Sequence, residues 1–435
     1  MKKNLCKASV ALIGSIALTG CFDKSSPEVR VLHASPDAPS VDVSVNGGTV
    51  LSDVAYREGS GYLKINEGAN DIAVFPEGGD TPVIAATLNF DENTQYSILA
   101  VNTVANIEPL VIANPEGTPA LGYAQLQIVH AAPGVPEVDV YVSAPGQDFD
   151  ELVPLLTAVP FKSYSDVLEV AAGEYRVRIT LSGDSTVVYD SGAITLNSRD
   201  EIIAAATEVN SGLSPVGLTL LTDAKKQPVV KVDDARARVR VVHASPDAPE
   251  VDVLVNDGVV LADVPFNVGS DYLTVLSDTY NVKVNAAGTA MSVIDADLQI
   301  AAATDYTVAA VNFLNQIEPI VLVDDNASPA AGNAKLRLVH AAPSAQLVDV
   351  YITVPAADIS MMAPSFEDFA FKNDSGYLEV PAGSYQVRVT LPDTKTVAID
   401  TGAVPLMDGQ VRTAFALDPT NEGDSFGVLL LEDLN

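Results

Sequence analysis

Short stretches in which apolar and polar residues alternate run through almost the whole chain. Between Val29 and Asn46 the apolar residues fall on every second position, a turn with two prolines intervenes, and the alternation then resumes. A period of two is typical of a strand with one buried face. The Asn46-Gly47 pair that follows is a strong hairpin signal. The pattern therefore predicts a rigidly connected pair of strands followed by a hairpin.

This stretch occurs four times and divides the chain into repeats. Each copy contains one of the protein's four histidines, His33, His130, His243 and His340. The first and third histidines are 210 residues apart, as are the second and fourth, whereas neighbouring ones are 97 or 113 apart. The spacing predicts a duplicated two-unit block, in the order A, B, A, B.

Within the first unit, six further stretches of strand length follow the opening pair. They are Thr49 to Ala55, Gly61 to Ile65, Ile72 to Phe75, Val83 to Phe90, Tyr96 to Asn102 and Glu108 to Ala113. Many short strands separated by turn signals, with no helical period, are typical of a β-sandwich. We expect four such units, A1 at 27–119, B1 at 123–222, A2 at 237–328 and B2 at 334–433. The charged segment 223–236 is the expected linker.

Both B units carry eight extra residues after their second strand. The extra length falls in Ala144 to Asp166 and in Val354 to Ser375, where acidic and apolar residues are mixed. Loops inserted on a rigid scaffold often serve recognition, and many are only tolerated insertions. Both interpretations stay open.

The N-terminal segment has the features of a secretory signal. The segment starts with basic residues, continues with a short apolar core and ends with Leu18 to Cys21. The last four residues resemble the lipobox of bacterial lipoproteins. This resemblance implies that residues 1–20 are removed, that Cys21 carries the lipid, and that 21–26 form a tether. We expect a protein anchored in the bacterial cell envelope, in the outer membrane, on its periplasmic or surface side. An ordinary signal peptide with a cysteine at its cleavage site is the alternative.

The chain is strongly acidic. It has 24 basic and 57 acidic side chains, a formal net charge of −33, and loss of residues 1–20 removes three lysines and makes this −36. Such a surface disfavours binding to nucleic acid and to anionic headgroups, which rests on cationic contacts. Solubility of the sandwich surfaces is the favoured interpretation of the charge, and cation binding is the alternative.

Two recurrent motifs carry a family resemblance. The opening His-Ala-Ser/Ala-Pro with its later Val-Asp-Val, and the hairpin around Tyr-Leu-x-Val-x-Ala-Gly, resemble domain-of-unknown-function family 4397 of secreted and lipid-anchored bacterial proteins. The resemblance implies an all-β fold of immunoglobulin-like or transthyretin-like sandwiches and no established activity. The fourth copy departs from the motif at Gln346 and Leu347, and A2 has Ser277-Asp278-Thr279 in place of the Ala-Gly turn.

Each histidine is followed nine residues later by an aspartate, which raises the question of a chemical site. The pairs are His33 and Asp42, His130 and Asp139, His243 and Asp252, and His340 and Asp349. A nucleophilic site would need a third member, and zinc would need three or four ligands. Calcium could use turn acids such as Asp324, Asp325 and Asn326, but the spaced acidic loop that typically binds this ion is absent from the sequence. We therefore expect structural histidines at the edge of each core, with no catalytic residue, cofactor or metal.

These observations favour a non-enzymatic, lipid-anchored envelope protein. Its tandem modules would serve structural, adhesive or protein-binding roles, with the membrane and an unknown protein or glycan as partners and no nucleic acid. The alternative is a lipoprotein that binds a carbohydrate or another small ligand. Because tryptophan is absent, the candidates for stacking on a sugar are Tyr141, Tyr164, Tyr351 and Tyr377. An enzyme is disfavoured.

Overall fold

A computed structural model describes residues 26–209, 212–421 and 425–434. The chain divides into two compact units, here called the first block, up to Arg236, and the second block, from Ala237. In both, the regular structure of the described residues is strand, with three short 3-10 helices at Val104–Asn106, Phe149–Glu151 and Leu314–Gln316. The predicted all-β class is confirmed.

Unit A1 consists of two four-stranded sheets. Its strands are β1 Glu28–His33, β2 Val41–Val45, β3 Gly48–Val54, β4 Leu63–Lys64, β5 Gly68–Pro76, β6 Ile84–Phe90, β7 Thr94–Val101 and β8 Glu108–Pro115. The inner sheet has the order β4-β1-β7-β8 and the outer sheet β3-β2-β5-β6. Valine and isoleucine side chains from both sheets fill the space between them. All eight predicted strands of this unit are present.

Unit B1 repeats this plan. Its strands are β9 Tyr123–His130, β10 Val138–Ser143, β11 Leu156–Val159, β12 Leu168–Ala171, β13 Gly173–Leu181, β14 Val187–Leu196, β15 Glu201–Glu208 and β16 Val216–Leu221. A further strand, β17 Val229–Val232, pairs with β16 and makes the inner sheet five-stranded, in the order β12-β9-β15-β16-β17. The segment expected to be a linker therefore contributes a strand to B1.

The second block has the same organisation. Unit A2 contains β18 Arg236–His243, β19 Val251–Val255, β20 Gly258–Val264, β21 Val268–Gly269, β22 Leu273–Leu276, β23 Asp278–Ala286, β24 Ser292–Ile300, β25 Asp305–Val311 and β26 Glu318–Asp324. Unit B2 contains β27 Asn333–His340, β28 Leu347–Thr353, β29 Phe366–Ala370, β30 Asp374–Pro381, β31 Gly383–Thr390, β32 Val397–Asp400, β33 Val404–Leu406, β34 Val411–Leu417 and β35 Gly427–Glu432. The inner sheets are built on β18-β25-β26 and β30-β27-β34-β35.

The opening strands of each unit differ from the prediction in one respect. They do not pair with each other, because the proline-containing turn carries the chain from the inner sheet to the outer one. In A1, β1 pairs in parallel with β7, whereas β2 pairs with β3 and β5. The hairpin prediction is confirmed: Asn46 and Gly47 join β2 to β3 with φ of 50° and 77°, the positive values that a tight two-residue turn requires.

Within each block, the inner sheets of the A and B units pack face to face. In the first block this interface has its own apolar core, which includes Leu32, Leu99, Val129 and Ile203, and a matching core lies in the second block. The expectation of one buried face for the first strand was therefore wrong. Residues such as Leu32 point into the interface while their neighbours point into the sandwich. The alternating pattern of the strand predicted a single buried face. It did not show that the second face is also covered by protein.

Candidate functional site

Each recurrent histidine lies at the end of the first strand of its unit and contacts the turn that follows. In A1, the backbone N–H of Ser35 donates to Nδ1 of His33 at 3.3 Å, and Nε2 lies 3.0 Å from the carbonyl of Pro39. Because Nδ1 accepts, the proton is on Nε2, which donates to that carbonyl. Burial lowers the pKa of the imidazole, so it is neutral at pH 7.

The other three histidines have the same environment. Their Nε2 atoms reach the carbonyls of Pro136, Pro249 and Ala345. An aromatic ring packs edge-on against each imidazole, from Tyr56, Phe161, Phe266 and Phe371 in turn. The residue after each ring has a positive φ, and its backbone N–H donates to the carbonyl of the histidine. The imidazole thus connects three segments of its own unit.

The recurrent aspartates lie in the outer sheet and bind backbone groups. Oδ1 of Asp42 accepts from the N–H of Asp53 at 2.9 Å, where β3 has an irregular register and Asp53 has a φ of 53°. Asp139, Asp252 and Asp349 make the same bond and also accept from a second N–H in the neighbouring hairpin. The structure therefore does not bring the histidine and aspartate of a copy together. Their structural role stays a prediction, supported by these contacts.

A network of buried arginine and aspartate side chains lies at the interface between A2 and B2. Arg240 and Arg337, each three residues before a histidine, are 2% and 1% exposed. Arg240 donates to Asp433 of B2 at 2.6 Å, and Arg337 donates to Asp324 of A2 at 2.5 Å. Each arginine thus binds a carboxylate of the other sandwich.

Both carboxylates in this network are further bound by hydroxyl groups. Asp324 accepts from Tyr272 and Thr307 at 2.5 and 2.6 Å. Asp433 accepts from the hydroxyl groups of Tyr377 and Thr413 at 2.6 and 2.7 Å. The two arginines also stack over the tyrosine rings of their own units. Burial alone would lower the pKa of Arg337, but Asp324 raises it overall. Each buried guanidinium is therefore paired with a carboxylate that also accepts two hydroxyl hydrogen bonds.

The first block has different residues at the equivalent positions of its interface. Gln127 stands where the second block has Arg337, and Asn114 stands where it has Asp324. The Asn114 amide donates to Oε1 of Gln127 at 3.0 Å, so an amide pair replaces the ion pair. Arg30 is retained and donates to Ser97 at 2.8 Å. Because a 210-residue offset relates these positions, the coupled change was visible in the sequence.

Another buried arginine, Arg57, connects A1 to B1 in the first block. Arg57 donates to Thr219 and to the carbonyl of Leu218 at 3.0 Å each, and forms a 2.6 Å ion pair with Asp233, just after β17. Elsewhere in this block, burial and the charge of Asp223 raise the pKa of Glu201 to about 7, and the charge of Arg30 opposes the shift. The role of Arg57 could not be predicted, since a lone arginine between strands belongs to no sequence motif.

The remaining candidate residues mostly have structural partners. Among the four tyrosines considered for stacking on a sugar, Tyr141 and Tyr351 are buried, Tyr377 binds Asp433, and only Tyr164 is well exposed, at 46%. Asp324, one of the turn acids considered for calcium, is buried and paired with Arg337. Asp325 pairs with Lys335 at 2.7 Å. In the ranges that the structure describes, no group of three or more candidate ligands could hold a metal.

The inserted segments of the B units are partly loop and partly strand. The loops 144–155 and 354–365 replace the two-residue turn of the A units and expose Val153, Val354 and Met361. The predicted acidic and apolar segment at Phe366 lies instead in β29. Cys21 and the signal segment fall outside the described residues. Among those residues we find no helix with the length and apolar character needed to cross a bilayer.

Comparison with known proteins identifies a family but no activity. The family model described as "Domain of unknown function (DUF4397)" matches residues 27–141, 237–351 and 353–435. No curated protein matches. Among solved structures, the Bacillus anthracis TIE protein is 10% identical, over 90% of this chain and 68% of that one, with a TM-score of 0.16. A multi-modular glycogen-degrading pneumococcal virulence factor, SpuA, is 8% identical over 85% and 37%, also with a TM-score of 0.16. At these scores neither structure supports an argument about function.

Proposed function

Because the chain belongs to the family of domains of unknown function 4397, with repeated β-sandwich units, we propose that it is a non-enzymatic envelope lipoprotein. Cys21 carries the lipid, and the sandwiches present protein-binding surface away from the membrane, in a structural or adhesive role. The family and the all-β modules are established by the sequence match and the fold. The anchor, the location and the binding role belong to the proposal.

One observation carries this proposal, namely the fusion of A and B units into double modules. In each block the inner sheets share an apolar core, and buried arginines cross the interface. Side chains that could have formed chemical sites, such as the histidines and aspartates, bind turns and irregular strands of their own unit. A module built in this way is stiff, and its outer faces are available to a partner.

The anchor is tested by Cys21→Ser in the full-length protein. Only the thiol of residue 21 can receive the lipid, so the variant should leave the membrane fraction and lose its acyl mass. Cys6→Ser is the matched control and should change neither property. Membrane association that persists in Cys21→Ser, together with an unacylated wild-type protein, would disprove the lipoprotein hypothesis.

A second candidate function is favoured by a cavity inside A1. The space between its sheets holds a cavity of about 260 Å³, lined by apolar residues such as Val43, Ile72 and Ile98, with Asn46 and Asn70 also in its wall. Engineered apolar cavities of about 150 Å³ stay dry and bind benzene or xenon. Binding of a small apolar ligand is therefore the alternative. Xenon-induced shifts of A1 methyl resonances, abolished by Val43→Phe, would support it.

A further inference from the structure

The third residue of the equivalent strands β5, β13, β23 and β31 is a tyrosine in three units and an asparagine in A1. The rings of Tyr175, Tyr280 and Tyr385 pack against the cores of B1, A2 and B2. Each hydroxyl group donates to the carbonyl four residues earlier, at 2.7 to 2.9 Å. Asn70 of A1 makes the same bond through Nδ2, which donates to the carbonyl of Asn66 at 2.9 Å. A1 thus keeps the hydrogen bond and loses the aromatic ring.

The cavity of A1 is larger than that of A2. With Asn70 in its wall, the A1 cavity has a volume of about 260 Å³, whereas the A2 cavity, with Tyr280 in its wall, has about 130 Å³. Among the wall residues that the structure describes, only Asn70 and Asn66 are smaller than their A2 equivalents, Tyr280 and Leu276. A1 has isoleucine at positions 65, 72 and 98, where A2 has the smaller valine. The extra space therefore lies where the tyrosine ring would be.

Phe90 does not take the place of the missing ring. It stands where A2 has Ile300 and adds an aromatic side chain at this end of the unit. Its ring packs edge-on against Tyr96, with the ring centroids 4.8 Å apart. The space beside Asn70 is therefore not filled by the chain itself.

The cavities of the B units depend on other residues as well. B1, which has Tyr175, keeps a cavity of only about 20 Å³. B2 has Tyr385 in the wall of a cavity of about 530 Å³, but Asp400 and Thr401 also line that cavity, where the outer strand is broken between β32 and β33. A1 and A2 form the matched pair, because their walls are otherwise alike.

The end of the A1 cavity beside Asn70 is polar and reaches the surface. Oδ1 of Asn70 accepts from Nδ2 of Asn46 at 2.8 Å, while its Nδ2 donates to the carbonyls of Asn66 and Gly68. An amide oxygen accepts two hydrogen bonds, so Oδ1 has room for one more donor. Asn46, Lys64 and Asn66 line the cavity and are exposed, which gives a ligand a way in.

We infer that the A1 cavity binds a small phenol, with its ring where the tyrosine ring lies in A2 and its hydroxyl group donating to Oδ1 of Asn70. The volume is sufficient, since engineered apolar cavities of about 150 Å³ already bind benzene. The inference rests on the second candidate function, ligand binding in A1, and names the ligand class. Xenon binding without phenol binding would refute this inference and leave that function in place.

The test uses the lipid-free chain from residue 22 and p-cresol, which is the tyrosine side chain as a free molecule. p-Cresol should shift the methyl resonances of A1 residues such as Val43 and Ile72 saturably, with a Kd of about 1 mM or below. The A2 methyl resonances should not shift. Asn70→Tyr, which restores the residue of the other units, should abolish the A1 shifts. Asn89→Tyr is the matched control, because it makes the same substitution at an exposed position of β6, and it should leave binding unchanged.

Two other compounds keep the test independent of any folding defect in a variant, because they are titrated into the unaltered chain. Toluene lacks the hydroxyl group and should bind about threefold more weakly than p-cresol, or weaker still. 1-Heptanol has the hydroxyl group and the same number of carbon atoms but no ring, and it should also bind more weakly. Equal or tighter binding of either compound would overturn the inference. So would the absence of saturable p-cresol binding, or A1 shifts that persist in Asn70→Tyr.

Discussion

The ion pair at the interface between A2 and B2 should behave as a coupled unit that can be exchanged for the amide pair of the first block. Asp324→Asn leaves the guanidinium of Arg337, which is 1% exposed, without its carboxylate. Breaking a buried pair by removing one partner costs about 3–5 kcal/mol of unfolding free energy. Arg337→Gln should cost about 3 kcal/mol, at the lower end, because Asp324 keeps the hydroxyl donors of Tyr272 and Thr307.

The double variant, Asp324→Asn with Arg337→Gln, recreates the pair formed by Asn114 and Gln127 in the first block. We expect it to recover most of the loss, with a coupling free energy of about 2–3 kcal/mol. Hydrogen exchange in urea, followed by mass spectrometry of peptides from 305–341, reports the stability of the second block alone. This readout replaces tryptophan fluorescence as the measure of unfolding, because the protein has no tryptophan.

Lys372→Gln is the matched control for this cycle. Lys372 also pairs across the interface, with Glu318 at 3.0 Å, but both side chains are more than 40% exposed. An exposed pair contributes at most about 0.5–1 kcal/mol. If either single change at the buried pair costs no more than this control, or if the double variant loses the sum of the two single losses, the coupling argument is wrong.

Three further predictions concern stability and pH. His33→Ala removes a buried group with two backbone contacts and should lower the unfolding free energy of the first block by about 1–3 kcal/mol, leaving exchange in the second block unchanged. Burial lowers the pKa of His243 and His340, so their contribution is present above pH 6.5 and is lost as the pH falls through the folded-state pKa. The second block should therefore unfold at lower urea at pH 5.5 than at pH 7.5, and an equal midpoint would contradict this. The raised pKa of Glu201, about 7, has the opposite effect, since stability is lost as the pH rises from 4.5 through 7. Glu201→Gln should thus stabilise the first block at pH 8 and not at pH 4, as urea titrations at both values would show.

The sequence was sufficient for the strands of A1, because alternation and turn residues act locally. The eight strands of A1 and the Asn46-Gly47 hairpin follow from such signals. The pairing of strands that lie far apart in the sequence does not follow from such local signals. The parallel partner of β1 begins at Thr94, and nothing in either strand specifies the other. Strand β17 was assigned to a linker because Pro228 and the surrounding charges dominate its local pattern.

The burial of the polar residues at the interface could not be predicted, for a related reason. Arginine in an alternating strand normally faces solvent, and the partner that buries Arg240 is Asp433, far along the chain. The environment of the histidines was closer to expectation, since the turn that each imidazole contacts is adjacent in sequence. Local geometry can be predicted from a repeat, but the interface between repeats depends on which surfaces the whole fold brings together.

The exchange of an ion pair for an amide pair also affects how the repeats are sorted during folding. The two A units are closely similar, and so are the two B units, so A1 and B2 have apolar faces that could also pair with each other. That wrong combination would bury Arg337 against Asn114, and the reciprocal one would bury Asp324 against Gln127. Each would leave a charge without its counterion, at a cost of several kcal/mol. The difference between the two interfaces therefore favours the pairing of each A half with the B half of its own block.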